Sequence, residues 1–207
     1  TLLKVLVFES ESLLNKVDEI IKKFTIHAGI ISSVGRITEN ELLQLQEKAP
    51  FLELNSSTKI PFKNLYKTPK TLGVDRIALV ANAVRKYPKK DVLIIDAGTC
   101  ITFDFVSYKK EYLGGAISLG IEMRYKALQN YTSKLPLLEK DIPKNVIGRS
   151  TKESMHSGVI NGVLNEINGV INQYEKENSF LTVVLTGGDA NFLAKQLKSS
   201  IFANPNF

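Results

Sequence analysis

Residues 91–106, DVLIIDAGTCITFDFV, decide how this chain is read. Residues 92–95 are a short apolar run of strand length, and Ile101, Phe103 and Phe105 alternate with Thr102 and Asp104. β-Branched and aromatic types in this pattern suit a pleated, half-buried surface, so two strands are predicted. Between them Asp96, Ala97, Gly98 and Thr99 have the turn chemistry that joins antiparallel strands. Such a turn can hold an anion. Gly98 has no Cβ and lets backbone approach a ligand. Successive N–H groups can face negative charge, and the Thr99 hydroxyl can donate to a phosphate oxygen. Asp96, at the strand end, can accept a cation or steer a metal-bound water. An ordinary hairpin turn explains the same four residues equally well, because a motif this short is not specific.

Working outward, 207 residues with 43% hydrophobic and 23% charged content describe a globular chain with room for one or two cores. No apolar run approaches the roughly 20 residues that span a bilayer. The chain opens on Thr1 without a recognisable signal peptide, and a segment before it is expected to be missing. A single cysteine, Cys100, excludes an internal disulfide and fits a reducing cytoplasm. It is expected to be a buried apolar thiol. With two histidines beside it, a structural zinc site is excluded in practice. The net charge of +6 suits an anionic substrate, but the lysines come in scattered pairs (22–23, 89–90, 109–110) and form no stripe. That argues against nucleic-acid binding.

Before the hairpin, residues 2–8 and 28–34 are predicted as strands, and residues 51–54 as a short third. Apolar residues at 13, 14, 17, 20, 21 and 24 predict a helix. Thr38 with Glu41 predicts a capping box opening a second helix to about Lys48. Alternation of strand and helix argues for an α/β layer with a largely parallel sheet. Residues 56–72 are a polar connection bearing Pro61 and Pro69, long enough to be functional or a linker. It delivers the chain to Gly73, Val74, Asp75 and Arg76 at the start of a helix with Ile77, Val80, Ala81 and Val84 inward. Asp75 there is adequately explained as an acid at a helix N-terminus.

After the hairpin, residues 111–117 are a third strand in which Gly114 and Gly115 suggest a bulge or close backbone approach. A helix follows from Gly120, residues 133–145 are irregular, and the longest helix runs from about Thr151 to Tyr174. Its Gly158 and Gly162, four apart, allow very close approach, with packing on another helix of the chain as the simpler use. Residues 181–185 are a buried strand ending in Thr186, Gly187, Gly188 and Asp189, a strand-to-helix turn of the kind that cradles nucleotides. The second half thus repeats the first, minus an opening hairpin. Two stacked α/β halves with a cleft between them follow.

Five segments in order resemble the type III pantothenate kinases of the acetate and sugar kinase/Hsp70/actin superfamily: YKTPKTLGVDR (66–76), IIDAGTCITFD (94–104), YLGGAISLGIEM (112–123), GRSTKESMHSG (148–158) and LTGGDA (185–190). The combination is specific although each motif alone is not. The resemblance implies two repeated actin-like (ribonuclease H-like) α/β domains, 1–72 and 73–207, with an interdomain cleft. It implies ATP-dependent phosphorylation of the primary hydroxyl of pantothenate, towards coenzyme A. It makes Asp75 the general base, with Gly73, Val74 and Arg76 completing the substrate segment and Tyr66 and Thr151 touching pantothenate. Thr99 and Gly98 would meet ATP phosphates, Gly187 and Gly188 would border the adenosine, and Asp96 would bind a monovalent cation (K⁺ or NH₄⁺). Mg²⁺ would accompany the nucleotide, and the protein would be a cytoplasmic homodimer.

These types suit the chemistry. Phosphoryl transfer needs mostly positioning and charge stabilisation, plus a carboxylate to orient the attacking hydroxyl. Arg76 offers a planar fork for a carboxylate. The family's opening hairpin, with its Asp-x-Gly-Asn-Thr phosphate loop, is absent from residues 1–207, as is its closing helix. Two other readings stand beside the kinase: a non-catalytic regulatory protein of the same fold, and a kinase of another small alcohol.

Overall fold

The computed structural model describes residues 3–6, 8–33, 37–197 and 201–207. The chain divides into two compact bodies, residues 1–59 with 72–75, and residues 60–71 with 76–207.

The first body is built from two helices and a small sheet. Helix α1 (Leu13–Lys23) follows its apolar stripe and ends as Phe24 turns extended. Helix α2 (Glu39–Lys48) opens on the expected capping box: Thr38 Oγ1 accepts from Glu41 N–H at 3.2 Å, and Thr38 N–H donates to the Glu41 carboxylate at 2.8 Å. Two orphan amides are thereby satisfied. Leu45 on α2 is fully buried, and Lys48 pairs with Asp18 of α1 at 2.6 Å. Strands β1 (Gly29–Ile31) and β2 (Phe51–Glu53) pair in parallel, with Gly29 opposite Phe51. Within the predicted strand 2–8, Leu2 and Val7 lie outside the described residues, and the described ones form no strand. Val34, at the end of the second predicted strand, also lies outside them. The largely parallel layer is thus, among the described residues of this body, a two-stranded pair.

In the second body six strands lie in the order β3-β6-β5-β4-β7-β8, where β3 is Lys63–Asn64, β4 Val92–Ala97, β5 Cys100–Val106, β6 Glu111–Leu119, β7 Thr182–Thr186 and β8 Ile201–Ala203. β4, β5 and β6 pair antiparallel; the other pairings are parallel. The predicted hairpin is therefore present. β4 and β7 carry continuous apolar runs because they sit in the sheet interior, covered on both faces. The connection 56–72 is not structureless. It contributes β3, whose residues pair with Glu111 and Tyr112, and a 3₁₀ turn at Pro69–Thr71.

One sheet face is covered by α4 (Ile121–Asn130), α5 (Thr151–His156), α6 (Gly162–Glu177) and α7 (Ala190–Ala194). Leu93, Ile95, Ile101 and Phe103 pack there with Ile121, Tyr125, Val159 and Ile167. The single long helix expected over 151–174 is interrupted by a π turn, Ser157–Asn161, between α5 and α6. Gly158 does not pack on another helix: a Cβ there would meet no atom within 4 Å. Cys100 is half-buried, its sulfur 4.0 Å from that of Met123. The expected bulge at Gly114 and Gly115 is real. Gly114 has φ +107°, the register shifts beside Phe105, and a Cβ on Gly115 would lie 1.5 Å from the Phe103 carbonyl oxygen. Among the described residues no helix is long and apolar enough to cross a membrane.

The opposite face carries Asp104, the register partner of Ile94. Helix α3 (Val74–Lys86) buries Arg76, Ile77, Val80, Ala83 and Val84, with Ala83 taking the place expected of Ala81. Arg76 reaches Asp104, so α3 lies on that face. Arg76 Nε donates to Asp104 Oδ1 at 2.9 Å and Nη2 lies 2.8 Å from the same oxygen, with the two residues 5% and 0% exposed. Removing one partner of a buried pair leaves an uncompensated charge. Asp104→Asn should lower the unfolding free energy by about 3–5 kcal/mol in urea denaturation. A loss below about 1 kcal/mol would mean that the guanidinium does not depend on this carboxylate.

Candidate active site

Asp104 is the hub of a polar cluster inside the second body. Besides Arg76 it accepts from the Tyr112 hydroxyl at 2.6 Å and from Thr102 Oγ1 at 3.1 Å. A buried carboxylate needs donors of this number to offset lost hydration. The Tyr112 ring stacks on Tyr66 with centroids 6.1 Å apart, and the Arg76 guanidinium sits 5.8 Å above the Tyr66 ring. Tyr66 is fixed by its backbone: Leu65 N–H donates to Tyr112 O at 2.9 Å, and Tyr66 N–H to Asn64 Oδ1 at 2.9 Å. Gly114 leaves room for the ring, since a Cβ there would come within 3.1 Å of it. Burial alone would lower the Arg76 pKa, but the hydrogen bond and charge of Asp104 outweigh it and move it up, so the group stays cationic. Burial, then the Asp104 charge and hydrogen bond, push the Tyr112 hydroxyl well above its ordinary value, so it stays a donor.

The fold therefore brings Tyr66 and Arg76 together, with the Arg76 Nε hydrogen-bonded to Asp104 and Nη2 in ionic contact with it. Gly73, Val74 and Asp75 precede Arg76 directly; Val74 and Asp75 form the first turn of α3. Asp75 is half-buried and belongs with residues 72–75 of the first body.

The hairpin turn forms a second centre. Gly98 N–H donates to Cys100 O at 2.9 Å, Gly120 N–H to Thr99 O at 3.1 Å, and Asp189 N–H to Ala97 O at 2.9 Å. The last bond clamps the Gly187–Gly188 turn onto the hairpin. Gly187 has φ +91°, and a Cβ on it would fall 2.3 Å from Asp96 Oδ1. Only glycine lets the two turns touch. The Asp96 carboxylate and the Ala97 carbonyl therefore lie directly against the Gly187 backbone. Among the described residues no group of three or more His, Cys, Asp or Glu side chains could hold a metal ion. Gly98, Thr99, Gly188 and Asp189 line a cavity of about 1000 Å³ together with Tyr125, Lys126 and residues 137–140. Its size suits a nucleotide. Burial, then the charge of Asp141, raises the Tyr125 hydroxyl to about 12; it is hydrogen-bonded to His156 Nδ1 at 2.7 Å.

Thr151 is exposed and lines a different groove, about 1110 Å³ and largely apolar, with Arg124, Leu128, Arg149, Met155 and Gly158. Its helix is started by Ser150, whose hydroxyl accepts from Glu153 N–H at 3.2 Å. Tyr66 and Arg76 are not among the residues lining that groove. Sequence reasoning missed Asp104, Tyr112, Lys140 and the side chain of Asp189. A signal existed for the first: a carboxylate in mid-strand among Phe103, Phe105 and Val106 requires a cationic partner. None marked the other three.

A family model described as type III pantothenate kinase matches residues 8–173. A type III pantothenate kinase of Flavobacterium johnsoniae is 45% identical over 100% of this chain and 85% of its own length. One from Bacteroides fragilis is 40% identical over 96% of this chain and 82% of its own. A solved structure from Campylobacter jejuni, described as a Baf family transcriptional activator, aligns with a TM-score of 0.60 at 24% identity, over 91% of this chain and 80% of that one. That likeness concerns the fold. With a family match over most of its length and relatives this similar, the chain belongs to the type III pantothenate kinase family.

Proposed function

We propose that this protein transfers the γ-phosphoryl group of ATP to the primary hydroxyl of pantothenate, giving 4'-phosphopantothenate for coenzyme A biosynthesis. The observation that carries the proposal within the molecule is the clamp of Gly187–Gly188 onto the Asp96–Thr99 turn, which opens into a nucleotide-sized cavity. Gly98 and Thr99 meet the phosphates, and Gly187 and Gly188 border the adenosine. Mg²⁺ arriving with ATP supplies charge neutralisation on the phosphate oxygens. Asp75 accepts the proton of the pantothenate hydroxyl as its oxygen bonds to the γ-phosphorus. The bond from that phosphorus to the β–γ bridging oxygen breaks, and ADP leaves. Arg76, Tyr66, Gly73 and Val74 hold pantothenate; Thr151, which lines a separate groove, contacts it only if the pocket lies near the proposed dimer contact. Because Asp104 fixes Arg76 from behind, the guanidinium acts as a rigid charge and loses little freedom on binding.

The two bodies are taken as two actin-like (ribonuclease H-like) domains, drawn at 1–72 and 73–207 and interleaved over 60–75. The order β6-β5-β4-β7-β8, third-second-first-fourth-fifth within the later half, supports this for the second. The cytoplasm is the proposed location. A regulatory protein of the same fold, or a kinase of another alcohol, would keep the cavity; incubation with ATP and a panel of alcohols, pantothenate included, separates them, because only the proposed enzyme phosphorylates pantothenate in preference to the others.

Asp75→Asn should leave pantothenate affinity nearly unchanged and cut kcat by at least ~100-fold, the usual scale for a lost general base. Retention of more than about half of the activity would reduce Asp75 to a helix-start charge.

Turnover should require K⁺ or NH₄⁺ held at Asp96. Assays in a buffer of tetramethylammonium salts check this, and full activity there would remove the cation from Asp96.

A homodimer is proposed, joined along the face where Gly158 is exposed and a Cβ on Gly162 would come no nearer than 3.8 Å to Arg124. A two-fold contact would be self-complementary there. Sedimentation at micromolar concentration should give the dimer and Gly162→Leu the monomer. A wild-type monomer ends the proposal, and a dimeric, folded variant moves the interface elsewhere.

A further inference from the structure

We propose that the ion pair between Lys140 and Asp189 is a strap that holds residues 137–140 as one wall of the nucleotide cavity, where Leu137 and Leu138 receive the purine base. The inference rests on the reading of that cavity as the ATP site.

Residues 131–150 contain no helix or strand, and a connection of that length inside a compact body is usually functional. Side chains pin both of its ends. Thr132 Oγ1 donates to Leu128 O at 2.7 Å and accepts from Leu135 N–H at 3.3 Å. Ser157 Oγ donates to Val146 O at 2.5 Å, and Arg149 N–H donates to the Glu153 carboxylate at 2.7 Å. Between these anchors the chain crosses the cavity, where the Lys140 ammonium pairs with Asp189 and lies 5.6 Å over the Phe192 ring. Asp189 is itself fixed, since its backbone N–H bonds Ala97 O on the hairpin. The strap therefore ties the irregular segment to the proposed phosphate-binding turn.

The chemistry of the two walls differs. At the hairpin turn Thr99 offers a hydroxyl and Gly98 leaves open space beside it, which suit phosphates. Residues 137–140 offer two leucines, then Glu139, whose carboxylate disfavours phosphate beside it, and Lys140, whose charge Asp189 offsets. A ligand that is anionic at one end and flat and apolar at the other fits only one way round. Lys140 is 45% exposed, so the pair adds little to global stability and its role is local.

The test is ATP kinetics on the whole protein with Lys140→Asp, Asp189→Lys and the exchanged double variant. Lys140→Asp should raise the KM for ATP about 3- to 10-fold, the scale of one lost local interaction. The KM for pantothenate and kcat should stay within about two-fold, and the double variant should recover most of the ATP KM. Inhibition by inorganic tripolyphosphate, which has no base, should not change. An unchanged ATP KM overturns the strap. A tripolyphosphate Ki that rises in step with the ATP KM also overturns it, because Lys140 would then be touching phosphate. Thr99→Ala separates the underlying reading: if it leaves the ATP KM unaltered, the nucleotide binds elsewhere and the strap falls with that reading.

Discussion

A guanidinium that is 5% exposed, facing a carboxylate that is fully buried, sets the terms for the second body. Such a pair is costly to bury and is tolerated only when remaining donors and acceptors are met. Asp104 meets its share through Tyr112 and Thr102, and these choices propagate. Tyr112 must lie on β6 with its hydroxyl inward, Tyr66 must stack on it, and residue 114 must be glycine to leave room. α3 is thereby fixed at its N-terminal end, where Asp75 stands one residue before Arg76. The residues proposed to hold and deprotonate the acceptor thus begin at a point whose position is set by a charge pair behind it. That arrangement matches the demand of phosphoryl transfer, in which placement of charge matters more than covalent chemistry.

A second constraint is steric. The hairpin turn, the start of α4 and the turn after β7 converge so closely that side chains are excluded at Gly120 and Gly187, whose Cβ positions would fall 2.2 Å and 2.3 Å from neighbouring oxygens. Gly98 and Gly188 are different: no atom lies nearer than 4.0 Å to a Cβ at Gly98, none within 4 Å at Gly188, and both line the cavity. Two glycines permit the fold, and two leave open space beside a ligand. The distinction separates structural from functional uses of one residue type without reference to relatives.

The family match names the chemistry, and the molecule shows how the walls of the cavity are held. The cavity is bounded by a rigid hairpin and by an irregular segment with no ladder of its own. A wall of the second kind takes its shape from side-chain contacts to rigid neighbours, because its backbone has few repeating bonds to define it. The same segment anchors onto α5 through Glu153 and onto the π turn through Ser157, and π turns recur at functional places in helices.

What the sequence by itself determined was local. The hairpin of residues 91–106 followed from alternation and turn chemistry, the α2 capping box from Thr38 and Glu41, and the Gly187–Gly188 turn from its place after an apolar run. Each depends on residues within a few positions of one another, where backbone geometry leaves few options. The residue-by-residue pattern also carried the family. The tertiary structure decided the pairings. Arg76 could have met any of 21 acids, and nothing in its surroundings names Asp104, 28 positions away. Lys140 and Asp189 are 49 apart. The short β3 inside residues 56–72 exists only because β6 offers it an edge, and among the described residues the first-half sheet is shorter than its periodicity suggested. Propensity and period describe how a segment folds against an unspecified partner; which partner it meets is fixed by burial and charge compensation across the whole chain.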